Sequence, residues 1–374
     1  VRSAEDGGGL LVVAGESSGD THAAEVVAAL RRLRPGLEAF GLGSQRCAEA
    51  GVELLADSSE IAVVGITEVL KILGRAREIY RALLDEVDRR GTRTALLIDF
   101  PDFNLRLAKA LKKRGVRVVY YVSPQVWAWR QGRVRTIAKV VDEMLVLFPF
   151  EFEFYRRHGV HATHVGHPLV DQVPVLERHE GSSPLSLCLL PGSRRSEVRM
   201  HLPVMARAVE ILARRFDLRA SWVVAAGLDA AEFAPLLPTG LQLDRVHEDR
   251  FRVMADADLA LCASGTATLE VGLLGTPMVV VYKVSRLTSW IGRILLVDLP
   301  HISLVNLVLQ KGVVPEVLQE EATPGRIAAA AADLLNDHER RHNMSKELSA
   351  LRGLLGERGA SERAAAIVDR VLAG

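Results

Sequence analysis

The stretch VAGESSGD, Val13 to Asp20, closes an apolar run that begins at Leu10, and it sets two acids and two serines around Gly15 and Gly19. LLVVA is a short, uniformly apolar run of the kind that forms a strand buried on both faces of a parallel sheet. A turn follows, then a helix whose apolar positions Ala24, Val27, Ala28 and Leu30 fall near helical spacing. Strand, glycine turn and helix open an α/β unit, and in open parallel sheets ligands bind beyond the carboxyl ends of the strands. Gly15 and Gly19 permit a tight turn and close approach by a ligand. Ser17, Ser18 and Asp20 suit a helix cap, while Ser18 and Asp20 stand equally open to a place in a site. Glu16, an acid between glycines at a strand end, has no evident structural task and is the first candidate for chemistry.

The same plan repeats along the chain. TALLID (94–99) reads as a strand, Leu105 to Arg114 as a helix, VRVVYYV (116–122) as a strand, and a helix from about Gly132 leads to the strand DEMLVLF (142–148). ERHEGSSP (177–184) is polar and turn-rich, as a linker is. LSLCLLPGSRRSEV (185–198) then starts a second sheet, which SWVVAAG (221–227), ADLALCASGTATLEVGLLG (257–275) and PMVVVY (277–282) continue. The expected fold is α/β, two Rossmann-like domains facing each other across a cleft. Its expected parts are a first domain over 1–175, a second over 176–345 and helices capping the outside over 346–374.

Composition bounds the function. The 374 residues are long enough for two cores, and 47 Lys and Arg against 46 Asp and Glu argue against a general nucleic-acid coat. Cys47, Cys188 and Cys262 are distant and lack C-x-x-C spacing, so a reducing compartment is expected, with no disulfide frame or zinc site. The opening VRSAEDGGGLLVV is expected to be a polar tail before the first strand, since it lacks the basic start of a signal peptide. The longest apolar candidate, 287–309, is broken by Arg293, Asp298, Pro300 and His301, so membrane contact, if any, is peripheral.

Several loops carry the residue types of a site. G-x-G-x-x-G is absent, GLGSQR (41–46) breaking the pattern at its third glycine, and there is no G-x-x-x-x-G-K-[ST] loop, so nicotinamide chemistry and ATP hydrolysis lose their main support. In IDFPDFN (98–104) Asp102 is the expected helix cap, which leaves Asp99 either as a turn residue or as a general base for an attacking hydroxyl. The turn at Gly192, Ser193, Arg194 and Arg195 offers backbone N–H groups and guanidinium charge to a phosphate or diphosphate. Ser264, Gly265 and Thr266 form a second such turn, and Glu270 lies one helical turn further, placed to accept from the paired hydroxyls of a sugar. Both turns also read as plain helix caps. His158, His161, His164 and His167 recur every third residue, but in the extended backbone that HGVHATHVGH favours they alternate faces, which argues against a metal; His167 is the one expected near the cleft.

From Phe103 to Val141 there are ten Lys or Arg and no acid. Within this stretch Trp127 and Trp129 adjoin Arg130, which suits anionic headgroups, a phosphorylated substrate or stacked bases. Ile66, Val69, Leu70, Ile72 and Leu73 beside basic residues, and Leu287, Trp290, Ile291, Ile294 and Leu295 beside Arg286 and Arg293, form apolar stripes that favour lipid over nucleic acid, or belong to a core.

Taken with AGESSGD, GITEVL, IDFPDFN, YYVSPQVWAWRQGR, PFE, GHPLVD, LLPGSRRSEV, ASGTATLE and ISLVNL in that order, the chain resembles the lipid-A-disaccharide synthases along nearly its whole length. That resemblance implies an inverting glycosyltransferase of GT-B architecture that joins UDP-2,3-diacylglucosamine to 2,3-diacylglucosamine 1-phosphate. By the same resemblance Asp99 is the general base, with Glu16 and Ser18 near the reacting sugars. Gly192, Ser193, Arg194, Ser264, Gly265, Thr266 and Glu270 hold UDP, and Asn306 assists at sugar or phosphate. It implies no metal or other cofactor, no nucleic-acid partner, and a cytoplasmic enzyme peripheral on the anionic inner face of the inner membrane. The surface expected there includes Val69, Leu70, Leu73, Trp127, Trp129 and Arg130. The chain departs from the family pattern at His22 and Ala23, where a glycine is usual, and at Val305, where a proline is usual. A UDP-sugar epimerase or another transferase of this architecture, and an RNA-binding protein, are the competing readings.

Overall fold

A computed structural model describes residues 8–61, 69–128, 131–178, 183–283 and 300–374, with the side chains of 17 and 69–72 outside that description. Two parallel sheets organise the chain. The first has strands β1 (Leu10–Ala14), β2 (Ala39–Gly43), β3 (Val52–Asp57), β4 (Thr94–Ile98), β5 (Arg117–Tyr121), β6 (Glu143–Val146) and β7 (Ala162–His164) in the order 3-2-1-4-5-6-7. The second has β8 (Leu185–Leu190), β9 (Leu218–Val223), β10 (Asp244–Val246), β11 (Leu259–Ala263), β12 (Met278–Tyr282) and β13 (Glu316–Leu318) in the order 10-9-8-11-12-13.

Helices connect the strands of the first sheet: α1 (Ser17–Leu33), α2 (Gln45–Glu49), α3 (Val69–Arg90), α4 (Pro101–Lys113), α5 (Val134–Val140) and α6 (Pro149–Arg157). In the remainder lie α7 (Leu169–Gln172), α8 (Arg195–Ala213), α9 (Arg250–Asp256), α10 (Thr266–Leu273), α11 (Leu304–Leu309), α12 (Pro324–Asn336), α13 (His338–Leu348), α14 (Ala350–Leu354) and α15 (Ala360–Ala373). Helices on both faces explain why the central strands have no polar alternation: every residue of β1, β4 and β11 is buried. Each fully buried Leu, Ile or Val there contributes roughly 1.5–3 kcal/mol. Leu11, Val13, Phe40, Leu97, Tyr120 and Val146 belong to one apolar cluster of the first sheet.

The chain forms two compact units, one of 1–168 with 356–374 and one of 169–355. The division falls before the polar stretch 177–184, and the reason is specific. Leu169, Val170 and Val173 are buried, and Arg352 on α14 donates to the carbonyls of Val170 and Val173 at 3.1 Å each. Arg178 is bolted to the second unit as well, donating to the carbonyls of Ala255, Gly275 and Ala257 and to Ser345 Oγ. The last helix differs from an outer cap. α15 buries Ala364, Ala365 and Val368, Arg34 beside the end of α1 pairs with Asp369, and Arg32 meets Glu362 at 3.0 Å, so the chain's end belongs to the first unit.

Candidate active site

Both units place their candidate residues at equivalent points. In the first sheet the strand order reverses between β1 and β4, whose register pairs Ala14 with Ile98. Glu16 and Ser18 follow β1 and Asp99 follows β4, so all three stand at the carboxyl edge of two adjacent strands. In the second sheet the reversal lies between β8 and β11, paired at Leu190 and Cys262, and the turns at Gly192–Arg194 and Ser264–Thr266 follow those strands. The carboxyl edge at a switch point is where this class of sheet binds ligands.

Backbone strain marks the first of these edges. Asp99, Phe100 and Val122 have φ of 47°, 49° and 63°, the left-handed region that side chains with a Cβ avoid and that a β-branched valine avoids most. Strain of about 1–3 kcal/mol per residue persists only where the surroundings impose it. Here the half-buried Asp99 has its backbone held on three sides. Its N–H donates to the Tyr121 carbonyl at 3.0 Å, and its carbonyl accepts from Asn104 Nδ2 at 2.8 Å and from the Tyr120 hydroxyl. Gly15 completes the clamp, because a Cβ there would lie 2.2 Å from Phe100 Cγ.

The caps differ from expectation. α1 starts at Ser17 with Glu16 as its N-cap, and Asp20 turns away from its own helix. The buried Asp20 carboxylate instead accepts from the backbone N–H groups of Ser44 (2.6 Å), Arg46 (3.1 Å) and Cys47 (3.3 Å), capping α2 across the fold. Gly19 makes only ordinary contact with Ile98, so the close approach belongs to Gly15 alone. The N-cap of α4 is Phe100, and Asp102 stands exposed in the first turn, paired with Arg133. Glu16 and Ser18 are exposed.

The YVSPQVW segment is tied to α6 by an acid. Glu151 is buried and accepts from Trp127 Nε1 at 3.2 Å, Phe148 N at 3.2 Å and Leu147 N at 3.3 Å. Burial pushes its carboxyl up to about 7, against the pull of those donors. Trp127 is thus partly buried, edge-on to Phe150 at 4.9 Å, rather than a free surface anchor. Trp129 and Arg130, the side chains of Val69 and Leu70, and the stripe at 287–295 lie outside the described residues, while Leu73 is 58% exposed. The basic stretch is partly neutralised by acids from outside it, through Lys112–Asp142, Arg114–Asp88 and Arg133–Asp102.

The four histidines part company. His158 bonds the Phe154 carbonyl, His161 pairs with Glu143, and His164 bonds the Leu147 carbonyl. His167 is buried against Phe148. Burial holds His167 down at about 3 and His22 at about 4, so both rings are neutral at ordinary pH. Among the described residues no three His, Cys, Asp or Glu side chains form a metal-holding group.

In the second unit Gly192 has φ of 124°, and a Cβ there would lie 2.5 Å from Glu197 Cβ. That space lets Glu197 fold back in a capping box, where its carboxylate accepts from the N–H groups of Ser193 (3.0 Å) and Arg194 (3.3 Å). Ser193, Arg194 and Thr266 are exposed, and Ser264 is half-buried. Glu270 is buried on α10, where Arg250 meets its carboxylate with two bonds of 3.1 and 3.2 Å. Desolvation raises the Glu270 carboxyl and Arg250 opposes that rise.

Asn306 is the third residue of α11. It is buried with its amide fully engaged: Oδ1 accepts from Val313 N and Val314 N, while Nδ2 donates to the Val314 carbonyl and to Glu316. Glu316 also accepts from Ile302 N and Ser303 N, so this pair builds the turn ahead of α11. Of the family departures, Val305 is buried with its methyl 3.3 Å from where a Gly272 Cβ would stand, and Ala23 is fully buried. Asn104, Glu151, Arg250, Glu197 and Glu316 were missed by sequence reasoning. Asn104, Glu151 and Glu197 lie inside the family motifs, but which backbone groups they reach is decided by the folded turns and the contacts between elements.

A sequence profile of the lipid-A-disaccharide synthetase family matches residues 10–371. The chain belongs to the lipid-A-disaccharide synthase family. The synthase of Myxococcus xanthus is 47% identical over 373 residues, 97% of each chain, and that of Geobacter sulfurreducens is 42% identical over 373 residues, again 97% of each. Among solved structures, Acinetobacter baumannii MurG matches with a TM-score of 0.58 at 14% identity, covering 96% of this chain and 99% of that one. S. aureus MnaA, solved with UDP, matches with a TM-score of 0.66 at 13% identity over 97% and 96%. At such identities the likeness concerns the fold, which is the GT-B architecture of the family. Among the described residues no helix is long and apolar enough to cross a membrane.

Proposed function

We propose that this glycosyltransferase joins UDP-2,3-diacylglucosamine to 2,3-diacylglucosamine 1-phosphate, forming the β-1,6-linked lipid A disaccharide 1-phosphate and UDP. The observation that carries the assignment of roles is Asp99, held in a left-handed turn at the switch point by Tyr121, Asn104 and Tyr120. Asp99 takes the proton of the acceptor 6-hydroxyl as its oxygen attacks the anomeric carbon. The bond from that carbon to the diphosphate breaks on the opposite side, with inversion. Glu16 and Ser18, from the neighbouring strand end, orient the sugar hydroxyls.

UDP leaves with developing negative charge. The diphosphate takes the place of the Glu197 carboxylate at the N–H groups of Ser193 and Arg194, with the Arg194 guanidinium beside it. Ser264, Gly265 and Thr266 supply the second turn, and Glu270 accepts from the ribose hydroxyls. Asn306 acts by shaping the turn at Ser303. These groups supply the charge that departing UDP needs, so the reaction is expected to run without a metal and to persist in a chelator. Both substrates are acylated, and the enzyme works from the cytoplasmic face of the inner membrane, held there peripherally. The exposed Leu73 near the start of α3 supports that placement.

Purified protein incubated with both substrates in mixed micelles, with products followed by mass spectrometry beside Asp99→Asn, tests the reading. Disaccharide from the wild type and almost none from the variant is the expected result. Disaccharide from both keeps the reaction and removes Asp99 as base; no disaccharide from folded wild type removes the reaction itself.

A further inference from the structure

We propose that Arg250 is a positioning residue of the nucleotide site, its planar fork holding the Glu270 carboxylate as a two-oxygen acceptor for the paired hydroxyls of a ribose. The inference rests on the placement of Glu270 at the ribose in the preceding section. Arg250 opens α9, directly after Asp249, which has φ of 50°. Its Nη1 donates to Oε2 at 3.2 Å and its Nη2 to Oε1 at 3.1 Å, one bond to each oxygen. An ionised carboxylate has about four lone-pair sites, so each oxygen keeps acceptor capacity after the fork is made. The guanidinium also lies over the Phe251 ring, 4.4 Å from its centroid, which restrains it from the other side.

The surroundings make this fork matter. Glu270 is 9% exposed on a helix whose own first turn carries no acid or base. Among the described residues Arg250 is the charge that acts on it. The Cys262 thiol on the adjacent β11 is held neutral by burial. From the other elements packed on α10, α11 presents no ionisable side chain, α7 carries the acid Asp171, Arg352 of α14 is engaged by the carbonyls of Val170 and Val173, and Glu347 of α13 pairs with Lys311. A buried acid stripped of its one cation takes up a proton and turns one oxygen from acceptor into donor. A ribose diol, which donates two O–H groups, then loses half of its receptor.

The test compares UDP with 2′-deoxy-UDP by isothermal titration on the full chain, in wild type and in Arg250→Met, Arg250→Lys and Glu270→Ala. The wild type is expected to prefer UDP. Glu270→Ala is expected to abolish the preference. Arg250→Met is expected to weaken UDP about tenfold, the size of one hydrogen bond to a charged group, while leaving 2′-deoxy-UDP nearly unchanged. Its loss grows as pH falls, because burial without the Arg250 charge favours the protonated Glu270 carboxyl. Arg250→Lys keeps the charge without the fork and is expected to recover part of the preference; it also serves if the methionine variant does not fold. A full preference retained in Arg250→Met, or in Arg250→Lys where the methionine variant does not fold, overturns the proposal if Glu270→Ala loses it, and makes Arg250 a structural partner only. A preference unaffected by Glu270→Ala overturns the proposal at its base, by removing Glu270 from the ribose.

Discussion

Asn104, fully buried on α4, donates its side-chain N–H to the backbone carbonyl of Asp99 at 2.8 Å and to that of Ile98 at 3.1 Å. A residue five positions along the chain thus holds the left-handed turn in which Asp99 stands. Replacing it with alanine removes these bonds and leaves buried carbonyls poorly satisfied. Asn104→Ala is expected to lower stability by about 1–3 kcal/mol and turnover by roughly tenfold or more, with the UDP-sugar KM little changed. Steady-state kinetics beside thermal unfolding separate the two effects, and an unchanged turnover would detach the turn from catalysis.

Gly15 acts on the same turn from the neighbouring strand. A methyl at Gly15 would stand 2.2 Å from Phe100 Cγ and 2.3 Å from Cδ1, far inside contact distance. Gly15→Ala is expected to displace Phe100 and with it Asp99, lowering turnover by at least about tenfold. Relief should come from shortening the ring, so Gly15→Ala combined with Phe100→Leu is expected to recover part of the loss in the same assay.

Glu151 predicts a pH dependence with a definite sign. Burial raises its carboxyl to about 7 in the folded chain from the ordinary 4.5, so the folded state binds the proton more tightly than the unfolded state does. That contribution is full below 4.5 and is lost as pH rises to about 7. Relative to wild type, Glu151→Gln should gain stability across that interval, by up to about 3 kcal/mol, and run parallel above it. Urea unfolding at several pH values checks this, and parallel curves throughout would refute it.

The buried rings of His22 and His167 predict the opposite slope. Held at about 4 and about 3, below the ordinary 6.5, they stay neutral in the fold while the unfolded chain takes up protons. Their contribution is present above 6.5 and is lost as pH falls through the window down to those lowered values. Each contributes a slope of about 1.4 kcal/mol per pH unit there. His22→Phe with His167→Phe should flatten acid unfolding between pH 6 and about 4, as read by circular dichroism.

Asp20 separates folding from chemistry. Asp20→Ala leaves the N–H groups of Ser44, Arg46 and Cys47 without their acceptor, and is expected to cost about 2–3 kcal/mol. Turnover per folded molecule, measured well below the melting temperature, should be unchanged.

Strands such as Leu10–Ala14 and Leu259–Ala263 were legible because a strand covered on both faces must be apolar throughout, whereas Ala39–Gly43, equally buried but interrupted by two glycines, gave no such run. Short edge strands such as Ala162–His164 and Asp244–Val246, half exposed and mixed in composition, gave no such signal. The candidate acids at Glu16, Asp99 and Glu270 were legible for a related reason, since a charged residue at the end of an apolar strand or in a turn stands out from its neighbours.

Local patterning therefore determined the two α/β halves, their order, the turns that end β1, β4, β8 and β11, and the residues of the family motifs within them. Only the tertiary structure decided what those residues touch. Asp20 caps α2 and not its own helix, Asn306 is engaged with Glu316, Glu151 receives the Trp127 indole, and the last helix returns to the first unit. The physical reason is that a hydrophobic pattern is written along one element, whereas a hydrogen-bond partner or a helix's docking face is set by which elements lie side by side, and that is decided only when the sheets form.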